Sequence, residues 1–212
     1  MVDALSNKLT LIIKMNVQDI DDEKAEIINY GLKSIFSLIT KTVIILLLAY
    51  WLGILDLMLI TIISIAIYRL FAGGAHANSH ITCLITTSML YFGTIYLSKW
   101  LSLYVLNVKP FYLVIFIVNC IIIYLYAPAD VQQKPIMSKT LKEKLRIESV
   151  FSMSLIVIIS LTIINNTVIS NILILTTLFQ SITMLPVFYK ILGCHRSRQV
   201  NQKGFNSSKI CC

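Results

Sequence analysis

Charge is what this 212-residue sequence has least of. Asp, Glu, Lys and Arg make up 13% of it, against about 25% in soluble domains. A chain so poor in charge cannot cover a water-facing surface, which excludes an ordinary soluble fold. The five cysteines, Cys83, Cys120, Cys194, Cys211 and Cys212, follow no regular spacing. A disulfide scaffold is therefore not expected, and Cys120, set in an apolar run, reads as a small hydrophobe. No internal repeat, low-complexity tract or nucleotide-binding motif is visible. No basic stripe with interleaved aromatics points to nucleic acid, so none is expected as a partner. The opening "MVDALSNKLTLIIKMNVQDIDDEKAE" lacks a compact apolar core followed by a small-residue cleavage site. It reads as an amphipathic segment and not as a secretory signal.

What fills the sequence is hydrocarbon. Hydrophobic residues make up 57% of the chain, in runs such as "TVIILLLAYWLGIL" and "FYLVIFIVNCIIIYLY". Such runs predict an all-α, polytopic membrane protein. Residues 35–68 are apolar apart from Lys41, Asp56 and a few others. As one helix they would extend about 50 Å, too far for a hydrocarbon core of about 30 Å. Two spans are therefore expected, about 34–53 and 57–70, with a tight turn near Gly53–Asp56. Four more are expected at about 82–99, 109–126, 148–165 and 168–188. Pro110 suits the first turn of the fourth span and Trp100 and Tyr104 an interface belt. "INNT", Ile164 to Thr167, supplies the turn between the last pair, and Pro186 should kink or end the sixth span.

Six spans put both termini on one side. With that side cytoplasmic, only Lys99 and Lys109 among the 18 basic residues fall outside, which is the positive-inside bias. The chain then reads as one integral membrane domain over 1–212. Residues 1–33 form an amphipathic cytoplasmic segment, 34–192 a six-helix membrane region and 193–212 a basic cytoplasmic tail. The formal charge of +8 suits contact with anionic lipids, at about 1 kcal/mol per basic residue near the surface.

One segment stands apart. "FAGGAHANSHITC", Phe71 to Cys83, is where His, Cys and paired glycines occur together. In the expected topology it faces the cytoplasm. Gly73-Gly74 reads equally as a plain polar turn or as the hinge of a catalytic site. In the catalytic reading Cys83 supplies a thiolate and His76 takes its proton. Seven residues of helix separate the Cα atoms by about 10.5 Å, too far for a direct hydrogen bond between the two side chains. A dyad therefore requires that 72–78 leave the helix and that a new helix begin near Asn78 or Ser79, both good caps. Arg69 reads as an interface anchor or as a cation near the thiol. His76, His80 and Cys83 at i, i+4 and i+7 also suit zinc, although the Glu of a metallopeptidase helix motif is missing.

The string from Arg69 through "GGAHA" (Gly73 to Ala77) to Cys83 resembles the active-site segment of the AgrB family, the accessory gene regulator B proteins. The resemblance continues in "YAPADVQQKPI", Tyr126 to Ile136, and in "MLPVFY", Met184 to Tyr189. It implies a membrane cysteine endopeptidase of Gram-positive quorum sensing with His76 and Cys83 as the catalytic pair. Arg69, Gly73 and Gly74 would support the site, with no metal and no cofactor. The implied substrate is an AgrD-type propeptide with an acidic C-terminal tail. Cleavage would leave an acyl-thioester on Cys83, and a Cys or Ser of the peptide would close a thiolactone or lactone. Lys134, Lys139, Lys142, Lys144 and Arg146 would then offer a docking surface for the acidic tail. A homodimer in the cell membrane, with its active site at the cytoplasmic side, is also implied. A peptide transporter without enzymatic activity, or a zinc peptidase using His76, His80 and Cys83, are the competing readings.

Overall fold

A computed structural model of the chain describes residues 2–17, 21–75, 79–104, 109–129 and 138–193. Among them the only non-helical pairing is a single parallel bridge, Gly73 with Ala129. The helices in chain order are α1 (Val2–Asn16), α2 (Asp22–Trp51), α3 (Leu55–Ala72) and α4 (His80–Tyr104). After them come α5 (Lys109–Tyr126), α6 (Lys139–Thr162), α7 (Thr167–Ile182) and the short α8 (Pro186–Ile191). Stretches of α2, α3, α4 and α6 are long and apolar enough to cross a bilayer, and α5 and α7 carry shorter apolar stretches. The expected six apolar helices are therefore present.

Their boundaries follow capping chemistry more than hydropathy. α2 begins twelve residues before the expected span because the Asp21 side chain accepts from Lys24 N at 2.8 Å, satisfying a first-turn donor. α6 likewise starts at Lys139, nine residues before the expected start, because the Ser138 hydroxyl accepts from Leu141 N. The turn between α2 and α3 is a Schellman motif. Ile54 N reaches Ala49 O, Gly53 N reaches Tyr50 O, and Gly53 takes φ +63°, the left-handed position that glycine fills without a Cβ penalty. Asn166, within the expected turn, caps α7 by accepting from Val168 N and Ile169 N. α5 occupies the expected 109–126.

Pro186 ends the sixth span, as expected, and starts a new helix. It occupies the first turn of α8, and α7 has already ended at Ile182. Proline has no N–H and its ring clashes with the carbonyl four residues back, so the helix must stop about a turn earlier. Leu185 accordingly takes φ −69°, ψ 144°, the extended region forced on a residue before proline. The break leaves the carbonyl of Thr183 outside the helical ladder.

α7 is the centre of the bundle, contacting α3, α4, α5 and α6. It is buried continuously from Ser170 to Thr177 and again at Gln180 and Ser181. The bundle buries an apolar core, with Ile123, Met153 and Ile174 among its buried residues, and sets many polar side chains within it. Large side chains such as Leu47, Ile63, Met89, Val114 and Ile158 are exposed, as expected for lipid-facing positions. Buried Asn, Ser, Thr and Tyr groups pair between helices instead. Tyr112 OH donates to Asn171 Oδ1 at 2.6 Å, and Asn171 Nδ2 donates to Ser98 O. Asn119 Nδ2 donates to Thr177 Oγ1, and Tyr68 and Ser181 share a hydroxyl bond at 2.7 Å. Bonds of this kind contribute about 0.6 kcal/mol on average in membrane bundles and up to about 1.7. Tyr112→Phe should therefore destabilise the bundle by about 1 kcal/mol, read as a shift in the detergent unfolding midpoint. An unchanged midpoint would show that this bond adds nothing.

α1 packs against α2. The hydrogen bond from Lys14 and its positive charge hold the exposed Asp22 carboxyl below the usual carboxylate range.

Candidate functional site

Arg69 lies in the last turn of α3, where a cation complements the carbonyl end of the helix dipole. The helix stops at Gly73, with φ +72°, followed by Gly74 with φ +149°, angles that L-residues resist. The backbone freed by this stop is held at nearly every polar group. Gly74 N donates to Ala129 O and Ala129 N to Ala72 O, at 3.2 and 2.9 Å. Gly73 O accepts from Gln180 Nε2 at 2.6 Å. Ala75 N donates to Thr183 O at 3.1 Å, and Ala75 O accepts from Arg69 Nη2 at 2.9 Å. The carbonyl released by the break at the end of α7 is thus used to hold the glycine turn.

The fit is close. A Cβ on Gly73 would lie 2.3 Å from Ala129 O, and one on Gly74 would lie 2.8 Å from Thr183 Oγ1. The 127–129 loop is itself tied down from α6, where Arg146 Nε donates to Ala127 O at 3.1 Å and the guanidinium lies over the Tyr124 ring. Three segments far apart in sequence, 69–75, 127–129 and 180–184, therefore meet at one turn.

Cys83 lies in the first turns of α4, buried, with its N–H bonded to Ser79 O. Helical structure is absent at 73–75 and 79 and resumes at His80, while Ala72, expected to leave the helix, is the last residue of α3. His76, Ala77 and Asn78 lie outside the described residues, so the His76–Cys83 distance and the zinc set containing His76 do too. The Cys83 sulfur accepts a hydrogen bond from Lys41 Nζ on α2 at 3.1 Å. Both side chains line a cavity of about 140 Å³, together with Arg69, Ala75, Tyr91 and Thr183. The structure thus brings Arg69, the glycine turn and Cys83 to one place.

The basic residues of the expected docking surface divide. Lys134 lies outside the described residues. Lys139 and Lys144 are exposed on α6, and Lys144 lies 3.8 Å from Glu148. Lys142 is half-buried, and Arg146 holds Ala127. The basic tail from 194 onward also lies outside the described residues. Sequence reasoning missed Lys41, Gln180 and Thr183 as parts of the site. The signal for Lys41 was its charge inside an apolar run.

Comparison with known proteins places the chain among the accessory gene regulator B proteins. An AgrB-like protein of Clostridium acetobutylicum is 30% identical over 163 residues, covering 77% of this chain and 76% of its own. The accessory gene regulator protein B of Staphylococcus aureus (strain Newman) is 28% identical over 165 residues, 76% of this chain and 82% of its own. An AgrB-like protein of Clostridium beijerinckii is 29% identical over 159 residues, 75% and 77%. No solved structure matches the chain. The family model for accessory gene regulator B matches residues 6–184, from α1 through the break after α7, and this chain belongs to that family.

Proposed function

We propose that this protein is a membrane cysteine endopeptidase that matures a quorum-sensing propeptide. Membership of the accessory gene regulator B family supports a role in processing such a peptide. The observation that carries the cysteine mechanism is the placement of Cys83. Its sulfur borders a cavity shared with Ala75 and two cationic side chains, and His76 follows Ala75 directly in sequence. The anchored glycine turn brings Ala75 to that cavity, and in this reading His76, the next residue in sequence, acts as base for Cys83.

In this reading the Cys83 thiol gives its proton to His76 and the sulfur attacks the carbonyl that precedes the acidic tail. The tail leaves as an amine that takes up the proton, and the peptide stays on Cys83 as a thioester. A Cys or Ser of the peptide then displaces the sulfur to close a thiolactone or lactone. The thioester keeps the acyl group activated, and a dry cavity protects it from hydrolysis while the ring closes. The cavity faces the cytoplasm, where the propeptide is made. Exposed Lys139 and Lys144 lie on the surface that receives the acidic tail, and the working unit is a homodimer.

Co-expression with the cognate propeptide tests the reading. Rapid acid quenching should trap the peptide on the Cys83-bearing fragment, identified by mass as an adduct labile to hydroxylamine. Tail release should survive chelation. Release without any such adduct, or release lost on chelation and restored by zinc, would overturn the cysteine mechanism.

A further inference from the structure

We propose that Lys41 is a catalytic residue, the cation that receives the negative charge as it passes from the Cys83 sulfur to the substrate carbonyl oxygen. The inference rests on the peptidase reading above. Lys41 belongs to the apolar α2 span, where a charged side chain is costly and needs a reason. A lysine that served only to anchor the helix would extend its ammonium toward the interface. This one points inward, half-buried, and donates to Cys83 Sγ at 3.1 Å. Among the described residues no carboxylate pairs with it. Arg69, the other cation of the cavity, has Nη2 committed to Ala75 O.

The chemistry supplies the missing anion. As the sulfur attacks, the C–S bond forms and the carbonyl π pair moves onto oxygen. That oxygen is one bond angle from the sulfur, so an ammonium within hydrogen-bond range of Sγ also reaches it. The oxygen pair then re-forms the carbonyl as the C–N bond breaks, and the amine leaves with the proton that His76 took from the thiol. Lys41 keeps its own protons throughout and contributes fixed charge, as preorganised donors do in oxyanion sites. The same position explains why the cation sits beside a sulfur and not beside an acid. An acid would neutralise it before the reaction.

The test uses the full chain in detergent micelles. Anionic and cationic methanethiosulfonate reagents, sulfonatoethyl and trimethylammonioethyl, label Cys83, and the Cys83-bearing fragment is read by mass. Lys41→Met should lower the anion-to-cation rate ratio about tenfold or more, because unit charges in contact interact strongly at a semi-buried site. It should also slow thioester formation by about 10²- to 10³-fold, the usual effect of losing one oxyanion donor. Lys41→Arg should keep the ratio and restore most of the rate. Should Lys41→Met fail to assemble, Lys41→Gln keeps a donor without the charge and should show the same fall in the ratio with a smaller loss of rate. An unchanged ratio, or a lowered ratio with full thioester formation, overturns the proposal. The labelling ratio needs no peptide. Failure of the peptidase reading would show instead as tail release that survives loss of Cys83.

Discussion

Cys83→Ala should abolish release of the acidic tail when the variant is co-expressed with its propeptide, by about 10⁴-fold or more. Removing the nucleophile of a covalent mechanism costs that much because base, cavity and charge have nothing left to act on. Cys83 is buried at the start of α4, and alanine is smaller and apolar, so the bundle should keep its fold. The variant should therefore reach the membrane at normal levels and still bind the propeptide. Cys83→Ser should retain little activity, since a hydroxyl is far harder to ionise than a thiol and the resulting ester is less activated. Quantifying full-length and truncated propeptide by mass settles the matter. Tail release at the wild-type rate in either variant would sink the cysteine mechanism.

The second large effect is structural. Gly73→Ala should destabilise the protein by about 3–5 kcal/mol, at the top of the range for single substitutions, and should abolish activity. Two costs combine. A positive φ costs an L-residue about 1–2 kcal/mol, and the new Cβ would meet a backbone carbonyl, Ala129 O, at 2.3 Å. That carbonyl accepts from Gly74 N, so it cannot retreat without losing the pairing between the turn and the 127–129 loop. Gly53→Ala isolates the first cost. Gly53 has φ +63° with nothing within 4 Å of the added Cβ, so about 1 kcal/mol is expected. Unfolding both variants in mixed micelles compares them directly. A Gly73→Ala loss no larger than that of Gly53→Ala would mean that the packed turn is not under steric constraint.

The contrast between these glycines shows where sequence reading stops. Both can be recognised as turn residues from their apolar flanks. Nothing local tells that one faces open space and the other a carbonyl more than fifty positions away. The spans behave similarly. Hydropathy located all six apolar helices, because lipid demands about twenty apolar residues whatever the fold. It missed the starts of α2 and α6, since hydropathy marks the hydrocarbon and backbone bonding begins at Asp21 and Ser138. Pro186 correctly announced a break, but not that the break would free Thr183 O to hold Ala75 N.

The sequence by itself determined the membrane class and the helices, and marked Gly73-Gly74 as a turn. Composition and seven-residue spacing are local quantities, set by lipid and by helix rise. Tertiary structure alone decided what surrounds Cys83. It brought Lys41 across from α2, and it held the glycine turn with Ala129, Gln180 and Thr183. Those contacts depend on how α2, α4 and α7 pack. An interior that pairs polar groups and an exterior that presents hydrocarbon leave many sequences equally apolar, and only the packed bundle selects which charge meets the sulfur.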